Sequence, residues 1–164
     1  MPAFVQKLRT PVRFSRPGEP PVHGVLCLAP SAPFHSGPET ILERLNSADR
    51  VIPFEANDGT GVVLASRLDL EWVSPRPGTD PALIGPANFL VTHQEQVSVR
   101  LSGGDSLEGV IQMELPDGFN RVSDFLNGVE DFFPLATVDG VYLVNKLRVR
   151  EVHLYRASPK PLAA

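Results

Sequence analysis

The sequence predicts a mainly β fold: two tandem copies of a small five-stranded, barrel-like domain, each with a short helix, packed as a pseudo-twofold pair. Three observations carry this expectation. Seventeen prolines interrupt the 164-residue chain too often for long helices, because proline fixes φ and lacks a backbone donor. Between them lie short runs rich in Val, Ile, Leu, Phe and Tyr, many alternating with polar residues as half-buried antiparallel strands do. These runs also recur in order, which points to an internal duplication.

The first copy reads "VRFS", "HGVLCLA", "VIPFEA", "GVVLAS" and "LDLEWV"; the second reads "VSVRLS", "EGVIQMEL", "FFPLATV", "GVYLVN" and "VREVHLY". One offset places Phe4 on Phe89, Val12 on Val97, Phe14 on Val99, Gly18 on Gly103 and Gly24 on Gly109. After a longer first-copy loop, "LAPSAPFHSGPET", a second offset places Ile41 on Val122, Leu45 on Leu126, Asn46 on Asn127, Pro53 on Pro134 and Asp58 on Asp139. A third sets "GVVLASRLDL" on "GVYLVNKLRV". The offsets change only in loops, where insertions cost little.

In the first copy, Ser36 and Glu39 have capping-box spacing, with Pro38 in the first turn of the expected helix. In the second, Asn120 can cap and Asn127-Gly128 can end a helix by adopting positive φ. The same reasoning gives Asn46 and Asn127 a left-handed helix end. A strand over "RVSDFLN" is the competing reading. The expected division is a first domain at 1–73, a Pro-rich extended connector at 74–87 whose Leu83 and Ile84 dock on one domain, a second domain at 88–156 and a frayed tail at 157–164.

Net charge is −4 with a pI near 5.5, which argues against general attraction to phosphate backbones. Cys27 is the only cysteine, so neither an internal disulfide nor a cysteine-based zinc site can form. There is no apolar run of about 18 residues to span a membrane, and no h-region follows the basic N-terminus. A cytoplasmic protein without integral membrane association is expected.

"QVSVRLSGGDSLEGVIQM", Gln96 to Met113, resembles the opening of Sm-like and SH3-like barrels, and "GVYLVNKLRVREVHLY" resembles their closing hairpin. "SDFLN" followed by an "FFPL"-type strand also resembles a bacterial domain of unassigned function. The resemblance implies a small barrel and carries no catalytic or binding residues. It departs at "PDGFNRVSDFLNGVED", longer than a simple hairpin, and in lacking the basic and aromatic sets of RNA-binding members.

No catalytic constellation emerges from the residues. His23, His35, His93 and His153 include no i, i+4 pair for a metal. Cys27 on a strand has no basic cluster to make it a nucleophile. Glu130, Asp131, Asp105 and Glu108 flank predicted turns, where solvated charge is the ordinary reading. "SGGDS" is not followed by the "GK[ST]" of a phosphate-binding loop, and "NRVSDFLNG" has the wrong spacing for a cyclic-dinucleotide-binding PilZ motif. No metal or cofactor is expected.

Apolar surface remains. Phe125, Phe132 and Phe133 lie close together, and in a strand one of Phe132 and Phe133 faces the core while the other needs cover from the first copy, another chain or a different protein. The expected function is therefore a non-enzymatic adaptor or regulatory subunit of a bacterial cytoplasmic assembly. It would bind other proteins, a homo-oligomer included, through strand edges and these phenylalanines. One alternative is an Sm-like nucleic-acid binder using Lys146, Arg148 and Arg150 as a basic strip, which the acidic charge disfavours. A ligand-sensing small barrel is the other.

Overall fold

The computed structural model describes residues 7–116, 121–155 and 160–161. Its strands are β1 (Leu8–Ser15), β2 (Val22–Leu28), β3 (Val51–Ala56), β4 (Val62–Ser66), β5 (Trp72–Pro75), β6 (His93–Leu101), β7 (Ser106–Met113), β8 (Phe132–Thr137), β9 (Gly140–Asn145), β10 (Val149–Leu154) and β11 (Lys160–Pro161). Two short helices, α1 (Ile41–Leu45) and α2 (Val122–Leu126), occupy the long connections between β2 and β3 and between β7 and β8. The helical reading of "VSDFL" therefore holds against the strand alternative. Phe4 and Asn120 lie outside the described residues.

Period-two alternation sets the first strand of each copy. In β1, Thr10, Val12 and Phe14 are buried while Arg9 and Pro11 face out; in β6, Glu95, Val97, Val99 and Leu101 are buried while Gln96 and Arg100 face out. The ladders repeat with the sequence. Val12 pairs with Gly24 as Val97 pairs with Gly109, Phe14 with Val73 as Val99 with Val152, and Pro53 with Leu64 as Pro134 with Leu143. Each copy thus has the same internal strand order.

All ten principal strands join in one antiparallel sheet, ordered β10-β6-β7-β8-β9-β5-β1-β2-β3-β4, with β11 added to β6. The sheet passes from the second copy to the first through β9 and β5, where Trp72 pairs with Val144 and Val73 with Leu143. It is not closed. The expected twofold would pair β4 with β10 just as β9 pairs with β5, and among the described residues β4 and β10 are the two ends of the sheet.

Two apolar cores lie along this sheet, and each takes side chains from the other copy. The first contains Val12, Phe14, Leu26, Leu28, Ile41, Leu45, Ile52 and Phe54, with Phe132 and Leu143 from the second copy. The second contains Val97, Val99, Leu101, Ile111, Met113, Phe133, Leu135 and Val144, with Trp72 from the first. Trp72 meets Tyr142 edge-on at 4.7 Å, and Arg13 lies over both rings.

The helix starts differ from expectation. α1 begins after Thr40, whose hydroxyl accepts from the Glu43 amide while Glu43 accepts from the Thr40 amide. Glu39 instead accepts from the Ala29 amide, so the Ser36/Glu39 box does not form. Neither helix ends in a left-handed residue: Asn46 has φ −88° and Asn127 φ −83°. The connector is more ordered than its composition suggested, because its first residues, Ser74 and Pro75, belong to β5 and Asp80 caps a 3-10 turn at Pro81–Leu83. Leu83 and Ile84 pack on the first core as expected, and the Ile84 carbonyl accepts from the Leu42 amide. Gly85 has φ 94° and a Cβ there would lie 2.7 Å from the Thr40 hydroxyl, so only glycine fits. In the expected tail, Lys160 and Pro161 pair with Gln94 and His93.

Candidate binding surface

Gly24 and Gly109 recur because a third strand crosses at each. A Cβ on Gly24 would lie 3.0 Å from the Glu55 carbonyl oxygen, and one on Gly109 would lie 2.4 Å from that of Ala136, the residue matching Glu55. Pro53 and Pro134 recur for a related reason. β3 meets β2 only at Glu55 and Ala56, and β8 meets β7 only at Ala136, so each proline stands before the crossing where its missing donor costs no ladder bond.

Asn46 has a different task from the one its sequence suggested. Its Nδ2 donates to the Phe132 carbonyl at 3.2 Å, and its Oδ1 accepts from the Phe132 amide at 2.8 Å. It therefore holds the start of β8 across the junction between copies. Asn145, fully buried at the end of β9, donates through Nδ2 to the carbonyls of Leu70 and Arg67 and accepts from the Leu147 amide. Arg67 adds an ion pair to Asp131 at 2.7 Å. Glu71, also buried, accepts from the Gly103 amide at 3.0 Å.

The three phenylalanines do not form an open patch. Phe133 lies in the second core and Phe132 in the first, each 1% exposed, so the residue that needed cover is covered by the first copy. Phe125 is half-buried, 6.2 Å edge-on from Phe133, with the Lys146 ammonium over its ring. The cationic residues are not a free strip either. Lys146 Nζ donates to the Phe125 and Gly128 carbonyls at 3.4 Å, and burial pushes its pKa down against the pull of Glu130 and Asp131. Arg148 donates from Nε to the Leu68 carbonyl at 2.6 Å and pairs with Asp69. Arg150 is exposed.

Cys27 is half-buried and its thiol donates to Glu55 Oε1 at 3.6 Å. Burial and the Glu55 charge push the thiol pKa up, which keeps it protonated and weakly nucleophilic. Among the described residues no group of three or more His, Cys, Asp or Glu is placed to hold a metal ion. No helix among them is long and apolar enough to cross a membrane.

Exposed apolar side chains occur in both copies, Val129, Val138 and Leu147 of the second among them, and three of them are grouped on the first-copy hairpin of β3 and β4. Val51 is 45% exposed, Val62 57% and Leu64 69%, and all three stand on one face, since Pro53 pairs with Leu64 and Glu55 with Val62. Among the described residues β4 is also a free sheet edge. "VVLAS" is apolar at four consecutive positions, so its sequence does not distinguish the exposed Val62 and Leu64 from the buried Ala65 between Leu64 and Ser66.

Comparison of the chain with protein-family models, with curated proteins and with solved structures found no match.

Proposed function

We propose that the protein is a non-enzymatic binding module, an adaptor or regulatory subunit that engages another protein through the outer face and free edge of its β3–β4 hairpin. One observation carries the reading: the hairpin exposes Val51, Val62 and Leu64 beside a strand edge that has no partner among the described residues, while the matching hairpin of the second copy buries Phe132 and Leu143. Exposed apolar strand edges of this kind are contact surfaces or aggregation liabilities, and soluble proteins ordinarily cover or charge them. The two repeated five-strand units support a history of duplication from a small barrel-like ancestor, with one unit serving to bury the junction and the other left to bind.

Affinity capture of the tagged protein from its native cell extract, after nuclease treatment, tests this alongside a Leu64→Lys variant. Retention of a stoichiometric protein by the wild type and its loss from the variant is the expected result. Equal retention by both would remove the hairpin as the contact, and recovery abolished by nuclease would replace protein by nucleic acid.

A further inference from the structure

The junction inside the chain is head-to-tail: the fourth strand of the second copy, β9, pairs with the fifth strand of the first, β5. Such a contact leaves its own complement unused at both ends of the molecule. The free ends are β4, which matches β9, and β10, which matches β5. We propose that a second copy of this chain occupies the β4 edge, setting its β10 antiparallel against β4 and repeating the internal junction between molecules. This rests on the protein-binding reading above and names the partner.

The equivalent ladders fix the register. Trp72 opposite Val144 and Val73 opposite Leu143 become Glu151 opposite Ala65 and Val152 opposite Leu64. Burial at the two ends is complementary in the same way. At the internal junction Phe132 and Leu143 are inserted against Leu45, Leu70 and Val73, and all five are buried. At the free ends the inserting residues, Val51 and Leu64, are exposed, and the receiving residues, Leu126, Val149 and Val152, are only partly buried. Both halves of the missing contact are therefore open at the matching positions.

Polar groups repeat as well. Asn127 matches Asn46 and is exposed, free to hold the Val51 amide and carbonyl as Asn46 holds those of Phe132. His153 matches Ser74, whose hydroxyl donates to the Val141 carbonyl at 2.8 Å, and its imidazole can donate to the matching Val62 carbonyl. One pair opposes the contact. Arg67 and Asp131 become Lys146 and Arg50, a like-charged pair that makes the intermolecular junction weaker than the internal one. A heterologous contact of this type builds rings where the rotation closes and filaments where it does not.

The test uses two single-cysteine chains in a Cys27→Ser background, Leu64→Cys and Val152→Cys, mixed and oxidised. Facing positions of an antiparallel pair lie within the Cα separation a disulfide spans, and an intrachain bond cannot form in either chain alone. The mixture is expected to give a disulfide-linked dimer of unlike chains about tenfold or more faster than Leu64→Cys mixed with Val138→Cys, since pairing raises the local thiol concentration. Sedimentation of the unmodified protein is expected to give masses that are multiples of 17.8 kDa and grow with concentration. Arg50→Asp is expected to shift that association to lower concentration, and Leu64→Lys to higher. Equal cross-linking with the control, or a single 17.8 kDa species at every concentration, overturns the proposal. A monomer whose captured partner is still lost with Leu64→Lys overturns this inference alone; a monomer whose captured partner is unaffected overturns the binding reading with it.

Discussion

Strands β5 and β10 occupy the same place in the two copies, and so do β9 and β4, yet the members of each pair live in different surroundings. β5 is buried along its whole length between β1 and β9, whereas β10, which among the described residues has strand partners on one side only, has no fully buried residue. β9 is buried from Tyr142 to Asn145, whereas β4 buries only Ala65. The residues have diverged to suit: Trp72 and Glu71 against Glu151 and Arg150, Asn145 against Ser66. The same ladder therefore serves as interior at one junction and as surface at the other, and what distinguishes them is whether a neighbouring unit is present.

The sharpest way to break this comparison is to truncate matched positions on the two hairpins. Phe132→Ala leaves a cavity in the first core at the junction and is expected to cost about 3–5 kcal/mol in equilibrium urea unfolding. Val51→Ala, at the matching exposed position, is expected to fall within about 0.5 kcal/mol under conditions that keep the protein dilute. Similar losses at both sites would mean that the two hairpins are equally packed and the asymmetry is illusory.

Gly24 and Gly109 sharpen it next, because here the two copies should agree in sign. Gly109→Ala drives a methyl group to 2.4 Å from a backbone oxygen that can move only with its strand, for a cost on the order of 2 kcal/mol. Gly24→Ala meets its carbonyl at 3.0 Å and is expected to cost roughly half as much. Thermal melts of the two variants should rank them in that order. A neutral Gly109→Ala would show that the third strand is not held at its crossing.

Smaller again is the asparagine pair. Asn46→Ala leaves the Phe132 amide and carbonyl, both beneath the junction, without partners, at a cost of about 1–2 kcal/mol. Asn127→Ala is expected to leave the stability of the isolated chain unchanged and to weaken its self-association. If instead Asn127→Ala destabilises the dilute chain as much as Asn46→Ala does, Asn127 has a partner within its own molecule.

These sites also mark how far the sequence could be read. Alternation in "VRFS" and "VSVRLS" and the recurrence of Gly24 with Gly109 and Pro53 with Pro134 give the mainly β class and the repeated strands, because each reflects a constraint inside one copy. The join between copies was not legible. Asn46 and Asn127 look alike in sequence, but one bonds across the junction and the other stands exposed, and nothing local separates them. Phe132 reads as a sticky surface residue for the same reason: its cover, the first core, lies far away in the chain. Contacts made once, between units, leave no internal repeat to compare.

The smallest expected effect belongs to a feature found in the first copy only. In the loop between β2 and α1, His35 has one ring nitrogen 2.9 Å from the Ser36 carbonyl and the other 2.6 Å from Glu43, the residue that also completes the α1 cap. Both contacts favour the imidazolium, the Ser36 bond most, so the His35 pKa is raised above 6.5. For Glu43, burial pulls the pKa up, but the bonds from His35 and Thr40 outweigh it and the carboxyl lies below its ordinary 4.5. The signs then follow from linkage. The His35 contribution is complete below pH 6.5 and is lost as pH rises through its raised folded pKa; the Glu43 contribution is complete above pH 4.5 and is lost as pH falls through its lowered one. Together they stabilise the first copy most on the acid side of neutrality. α2 has no histidine beside Asp124, so the second copy gains nothing from protonation there. His35→Asn is therefore expected to lower stability more at about pH 5.5 than at about pH 8.5, by a margin read as the difference between two urea midpoints. A deficit that is the same at both values would mean that the loop is held by its backbone bonds, of which Ala32 to Gly37 and Glu39 to Ala29 are two, and that the imidazole merely fills space beside the cap.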